Sequence, residues 1–129
     1  MTQDNKDLLI KDLCARLPYG VKIDNMGVPS MLASINKKYR IIVETGEVDK
    51  EPRLDVLEIE DCKPYLFPLS SMTGEQKKEY AHLLTYTSSI EMIQITGEST
   101  YDWLNKNMFD WRGLIPKGLA IDATNKNIY

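Results

Sequence analysis

The 129-residue sequence predicts an α+β fold: an N-terminal helix, a small antiparallel β-sheet or SH3-like open barrel, and C-terminal helices. Near the N-terminus, apolar residues recur every three or four positions, as on one face of a helix. Residues 20–62 hold short runs of alternating apolar residues separated by Gly, Pro and Asn, as in an antiparallel meander. Helix-capping patterns follow after residue 72, which indicates a change back to helix.

The first helix is predicted over residues 4–17. Its apolar residues lie three or four positions apart and form one stripe: Leu9, Ile10, Leu13, Cys14 and Leu17. Asp4 or Asn5 is placed to cap the start of the helix, and a proline and a glycine directly after residue 17 end it. The position of Cys14 in the stripe predicts a buried free thiol.

The segment KPYLFPLSSM, residues 63–72, has two prolines four positions apart, a spacing that excludes a helix interior and a central strand. Because the segment is nevertheless apolar, we expect it to pack as a strap across the core. Thr73, with Gln three residues later, forms a capping box that begins a second helix, and Ser99 begins a third in the same way. The short apolar run 90–95 fits a strand or a helix, and its isoleucines favour a strand.

Composition indicates one compact, intracellular domain over residues 1–129, with a β-rich part at about 20–62 and a helical part at about 73–129. The net charge of −3 argues against a surface that works by neutralising phosphates, so a nucleic-acid partner is not expected. Two cysteines make no disulfide framework, which favours a reducing compartment. No apolar run reaches the length of a secretory signal or a membrane span, so no membrane partner is expected.

Three pieces of the chain, KDLCARLPYGVKI (11–23), KPYLFPLSSMTGEQKKE (63–79) and DWLNKNMFDWRGLIPKGLAIDA (102–123), resemble an uncharacterised family of small proteins carried by phages and prophages of gut bacteria. The resemblance implies a mobile-element context, the cytoplasm of a bacterial host, and an accessory role through binding a host or phage component. Where the family often has two histidines and a tyrosine, this chain has Asn107, Met108 and Trp111. That departure makes a metal or acid–base role at this position doubtful.

Catalytic patterns are missing from the sequence. His82 is the only histidine, it lies in a helical pattern, and no nucleophile motif or phosphate-binding glycine loop accompanies it. The acidic residues Glu58, Glu60 and Asp61 could hold a hard cation, but their alternation is typical of a solvated strand face. We therefore expect no enzymatic activity, no cofactor and no metal site.

The segment FDWRGLIPKGLA, residues 109–120, allows two interpretations. Asp110 and Arg112 could pair across a tight turn, while Trp111 and the nearby leucines plug the base of the domain. Alternatively, Trp111 and Arg112 are exposed and form a recognition surface, since both residue types are enriched at binding hot spots. The structural interpretation is favoured.

The function predicted first is binding of a protein partner at an exposed sheet edge, at the strap residues 65–67 or around Trp111. The alternative is a binder of a small phosphorylated ligand or nucleotide, which needs a pocket with aromatic walls and a cationic group. The residues proposed for these sites are Tyr39, Arg40, Tyr65, Trp111 and Arg112. A weak nucleic-acid site over 37–40, where basic residues flank Tyr39, is a further alternative.

Overall fold

The computed structural model describes residues 1–46, 51–86 and 99–129, and it confirms the α+β class. In chain order, its elements are α1 (Gln3–Arg16), β1 (Lys22–Asn25), β2 (Val28–Ile35), β3 (Ile41–Thr45), β4 (Arg53–Leu57), β5 (Tyr65–Leu66), α2 (Gly74–Tyr86), α3 (Thr100–Lys106) and β6 (Ile121–Asp122). After Lys106 the chain continues in turns and the short β6, so helix covers less of the C-terminal part than predicted. The run 90–95 lies outside the described residues.

Helix α1 begins and ends one residue earlier than predicted. The side chain of Thr2, rather than Asp4 or Asn5, caps it by accepting a hydrogen bond from the N–H of Asn5 at 3.2 Å. Its buried residues are Leu9, Asp12, Leu13 and Arg16, which follow the i, i+3, i+4, i+7 spacing of one helix face. Cys14 falls outside this face and is exposed, so the prediction of a buried Cys14 thiol is wrong.

The four strands β1–β4 form an antiparallel sheet in sequential order. Its inner face packs against α1 through the fully or almost fully buried Ile23, Leu32, Ile41 and Val43. Among the described residues β1 and β4 share no backbone pairing, so the sheet stays open and does not close as a barrel. The sheet is nevertheless curled, because Asn25 of β1 donates from Nδ2 to Oδ2 of Asp55 in β4 at 2.8 Å.

The strap predicted over 63–72 lies along the free edge of β1. The N–H of Asp24 donates to the carbonyl of Lys63 at 2.9 Å, and Ile23 forms an isolated bridge with Pro64. The strap continues into β5, which pairs with β6 in parallel, and Phe67 then bridges to Phe109. The strap therefore covers one edge of the sheet and joins it to the C-terminal part.

The second and third helices begin as the sequence predicts. Thr73 and Gln76 exchange side-chain and backbone hydrogen bonds at 2.9 and 3.2 Å, and Ser99 forms the corresponding capping box with Asp102. Besides the main core under the sheet, a second buried cluster lies between α2 and α3, and Phe67 packs against both. No helix in the described parts of the chain is long and apolar enough to span a membrane.

Candidate functional site

Tyr39 and Arg40 lie in the connection between β2 and β3. Tyr39 adopts a left-handed backbone conformation (φ 57°) in this turn, and 47% of the residue is exposed. Its neighbour Arg40 is half-exposed and faces Glu58 after β4, with 3.5 Å between Nε and Oε1. Both side chains are accessible, as a binding surface requires, but the Glu58 carboxylate already stands beside the guanidinium.

Tyr65 is buried within β5. Its hydroxyl donates to Oδ1 of Asp24 at 3.1 Å. The pKa of this phenol is raised, first because the hydroxyl is removed from solvent and second because the Asp24 carboxylate lies beside it. Leu66 beside it is fully buried, and Phe67 is partly buried between the two cores. Tyr65 and Leu66 therefore leave little surface for a protein partner to contact, whereas part of Phe67 stays exposed.

Trp111 is half-buried and held from two sides. Its indole N–H donates to Oδ1 of Asn105 at 2.9 Å, and its ring lies 4.7 Å, centroid to centroid, from that of Tyr101. The guanidinium carbon of Arg112 stands 4.0 Å from the centroid of the same indole, a cation–π arrangement. The Trp111 side chain is thus fixed in place by intramolecular contacts, and part of it remains exposed.

Arg112 turns towards the interior and pairs with helix α1, not with Asp110. Its Nη1 donates to Oδ1 of Asp12 at 2.7 Å, and only 10% of its side chain is exposed. Asp110 instead accepts the backbone N–H groups of Leu114 and Ile115 at 2.8 and 2.9 Å. The predicted pairing across the tight turn is therefore wrong, because each of the two charged groups has a different partner.

A buried charged cluster of Asp12, Arg16 and Arg112 joins α1 to the 109–120 segment. Asp12 and Arg16 are both fully buried, and Nε of Arg16 donates to Oδ2 of Asp12 at 2.9 Å. Nη2 of Arg16 also donates to the carbonyl of Phe109 at 2.6 Å. Sequence reasoning missed this cluster, although Asp12 and Arg16 stand four apart beside the apolar stripe and Arg112 follows two residues after Asp110. In this cluster Asp12 takes up Nη1 of Arg112, and little of the Arg112 side chain is left to meet a phosphate from solvent.

The outer face of the sheet, directed away from the main core, carries apolar residues that the sequence candidates did not include. In one cross-strand row Met31 and Leu54 flank Glu44, and in the next Ile42 lies opposite Val56. Leu54 is 63% exposed, Val56 61% and Met31 46%. We call these four apolar residues, Met31, Ile42, Leu54 and Val56, the outer patch.

The outer patch ends at an unpaired strand edge. Strand β4 pairs with β3 on one side, and within the described residues no backbone hydrogen bond is formed on its other side. Arg40 and Glu58 stand in the row after Ile42 and Val56, so two of the sequence candidates, Tyr39 and Arg40, adjoin the patch. The alternation in β4, where Leu54 and Val56 flank Asp55, is the sequence signal that could have located it.

The five sequence candidates do not converge on one site. Tyr39 and Arg40 border the outer patch, Tyr65 is interior, and Trp111 and Arg112 face α3 and α1. Among the described residues, no three His, Cys, Asp or Glu side chains are grouped closely enough to hold a metal ion. Comparison of the chain with protein-family models, with curated proteins and with solved structures found no significant match.

Proposed function

We propose that this protein acts without catalysis, by binding a protein partner through the outer patch and the edge of β4. The observation that carries this proposal is the coincidence of two features on one strand. Leu54 and Val56 are each more than 60% exposed, and the backbone of the same strand is unpaired on one side in the described part of the chain. Exposed contiguous apolar residues on a soluble domain usually mark an interaction site.

The occupant that fits this strand is an extended segment of the partner, added beside β4 as a further strand. Edge addition supplies main-chain hydrogen bonds for affinity and side-chain contacts on alternate positions for specificity. The partner segment would place apolar residues opposite Leu54 and Val56, with Arg40 and Glu58 forming the polar end of the interface. An apolar centre with a charged rim is the usual composition of such surfaces.

A second copy of the same chain fits this edge less well. In the antiparallel self-pairing that matches Leu54 with Val56, the two Asp55 residues lie directly opposite each other, and like charges there are destabilising. A shift centred on Leu54 places Val56 opposite Pro52, which has no N–H to donate, and a shift centred on Val56 places Leu54 opposite Glu58. The partner strand is therefore expected to carry a neutral or basic residue opposite Asp55.

The resemblance of residues 11–23, 63–79 and 102–123 to phage- and prophage-carried proteins supports a partner from the bacterial host or the phage. Phage accessory proteins commonly act by such binding, and the acidic net charge of −3 favours a protein over a nucleic acid as partner. Within this proposal the protein works in the cytoplasm of the host.

The test is a comparison of two variants in pull-downs from lysogenic or infected cells. Leu54→Lys with Val56→Lys places charges in the outer patch without disturbing the core. The control, Leu84→Lys, changes an exposed leucine of α2 that is 52% accessible. We expect the wild type and Leu84→Lys to capture the same partner. The double variant should capture at least tenfold less of it, because burying an unpaired charge opposes binding.

Three results would contradict the proposal. The first is that the wild type captures no reproducible partner, and the second is that the double variant still captures it. The third is that sedimentation detects a micromolar homodimer for the wild type and for Leu84→Lys but not for the double variant. The third result would identify a second copy of the chain, and not another protein, as the occupant of β4.

A further inference from the structure

A second candidate site is a cavity that shares no lining residue with the outer patch. A cavity of about 290 Å³ opens between the end of the strap, the start of α2, the end of α3 and residues 124–125. We call it the strap cavity. Its volume is at the lower end of the range for small-molecule sites, which suits a ligand of one or two rings.

The floor of the strap cavity is aromatic and rigidly supported. Phe67 and Phe109 line it, with ring centroids 6.4 Å apart. The N–H of Phe67 donates to the carbonyl of Met108, and the N–H of Asp110 donates to the carbonyl of Phe67, both at 2.8 Å. The buried Arg16 holds the carbonyl of Phe109 from below at 2.6 Å. A floor fixed in this way loses little conformational freedom when a ligand binds.

The walls of the strap cavity carry three carboxamides with unused hydrogen-bonding capacity. Gln76 accepts the N–H of Thr73 through Oε1, so its NH₂ group can donate to a ligand. Asn107 donates to the carbonyl of Trp103, so its Oδ1 can accept from a ligand. Asn125 makes no side-chain hydrogen bond within the described residues, so both its donor and its acceptor are available. The remaining polar wall groups are the hydroxyls of Ser71, Thr73 and Thr124.

Among the described residues that line the strap cavity none is acidic or basic, and this restricts the ligand. A phosphate or another charged group would be desolvated there without a counter-charge, which is unfavourable. Carboxamides pair well with a heterocycle edge that presents a donor beside an acceptor, as Asn and Gln do with adenine. Aromatic side chains supply contact area for the flat face of such a ring.

We propose that the strap cavity binds an uncharged planar heterocycle of the nucleobase type, presented as a free base or nucleoside. The carboxamides of Gln76, Asn107 and Asn125 would read the edge of the ring, and Phe67 and Phe109 would contact its apolar surface. The sequence indicates a binder of a small phosphorylated ligand as an alternative function. The site proposed here also binds a small ligand, but it uses different residues and the ligand carries no phosphate.

The experiment is calorimetric titration of the full chain with adenosine, guanosine, cytidine and uridine at millimolar concentrations. We expect saturable binding of at least one nucleoside. A 5′-monophosphate should bind no more tightly, because the described lining residues include no cation. Asn125→Gly should weaken binding roughly tenfold, since a good bidentate pair contributes that much discrimination or more. Glycine suits this position because Asn125 has a φ of 61°.

Asn127→Gly is the matched control. Asn127 also has a positive φ, 53°, and lies two residues further along the chain, but it does not line the strap cavity. Its replacement should leave the affinity unchanged. The proposal is overturned if no nucleoside gives saturable binding, if Asn125→Gly binds as tightly as the control, or if the monophosphate binds more tightly than the nucleoside. It is also overturned if glucose or galactose, which are uncharged but not planar, competes for the site.

Discussion

At the scale of single residues, the most consequential group is the carboxylate of Asp12. It accepts hydrogen bonds from Arg16 at 2.9 Å and from Arg112 at 2.7 Å, and it is fully buried. Removing one member of a buried ion pair leaves an uncompensated charge in a poorly solvated place, which costs several kcal/mol, on the order of 3–5. The two charged residues of the FDWRG segment therefore have partners inside the protein: Arg112 pairs with Asp12, and Asp110 accepts two backbone N–H groups.

The buried thiol of Cys62 gives a prediction about alkaline stability. Burial raises the pKa of the Cys62 thiol from 9.0 to about 12. Because the folded-state pKa exceeds the unfolded one, the stabilisation is complete below about pH 9 and disappears as the pH rises towards 12. At pH 10.5 the free energy of unfolding should fall by roughly 2 kcal/mol through this group, at about 1.4 kcal/mol per pH unit.

Urea unfolding at pH 8 and pH 10.5 measures this effect. Cys62→Ala should lose most of the decrease between the two pH values, although burial of the Tyr129 hydroxyl, whose pKa is raised to about 12, leaves a smaller decrease in the same direction. Cys14→Ala, which removes an exposed thiol, should behave as the wild type does. An identical decrease in all three proteins would show that Cys62 titrates normally.

At the scale of elements, the 109–120 segment is a capped turn. Asp110 accepts two backbone N–H groups at its start, and the N–H groups of Gly118 and Leu119 close it by donating to the carbonyls of Ile115 and Leu114, both at 3.0 Å. Gly118 has a φ of 73°, a conformation that a side chain would strain. The turn places the buried Leu114 and Leu119 in the main core, as the structural interpretation predicted.

Asp110→Ala should destabilise the protein by about 2–3 kcal/mol, because it leaves two backbone donors without an acceptor and one of them is buried. Asp122→Ala is the control, since Asp122 accepts the N–H of Thr124 in an exposed turn and its loss should cost less than about 1 kcal/mol. Chemical denaturation measures both values. Equal losses in the two variants would show that the Asp110 cap is not a main support of the segment.

At the scale of the whole molecule, α1 connects the sheet to the C-terminal part. Its apolar residues pack under the sheet, while Asp12 and Arg16 contact Arg112 and Phe109. Phe67 of the strap packs against both buried clusters. Contacts shared in this way make the two parts depend on each other energetically.

We therefore expect one cooperative unfolding transition. Trp103 and Trp111 both lie in the C-terminal part, so their fluorescence reports its unfolding, and hydrogen exchange of the β3 amides, residues 41–45, reports the sheet. In urea the two signals should give the same midpoint and free energy. Two separated midpoints would mean that the sheet and the C-terminal part are independent units.

The predicted elements that were confirmed rest on local patterns. The apolar face of α1, the alternation in β1–β4, the two prolines of the strap and the capping residues Thr73 and Ser99 each act over a few residues of chain. The errors within these elements are also local: Thr2 replaces Asp4 or Asn5 as the cap, and Cys14 lies one position outside the buried face. Successive residues of a helix differ by 100° in direction, so an apolar pattern locates the buried face only to within about one residue.

The sequence by itself determined the α+β class, the order of the helices and of the four-stranded sheet, and the position of the unusual segment at 109–120, but not the short strands β5 and β6. Only the tertiary structure decided what that segment does, because the partner of Arg112 is Asp12, 100 residues earlier in the chain. The same holds for Tyr65, which looked available and is buried, and for Leu54 and Val56, which looked like ordinary strand residues and are exposed. Whether a side chain meets solvent depends on which elements cover it, and packing over long chain separations sets that cover.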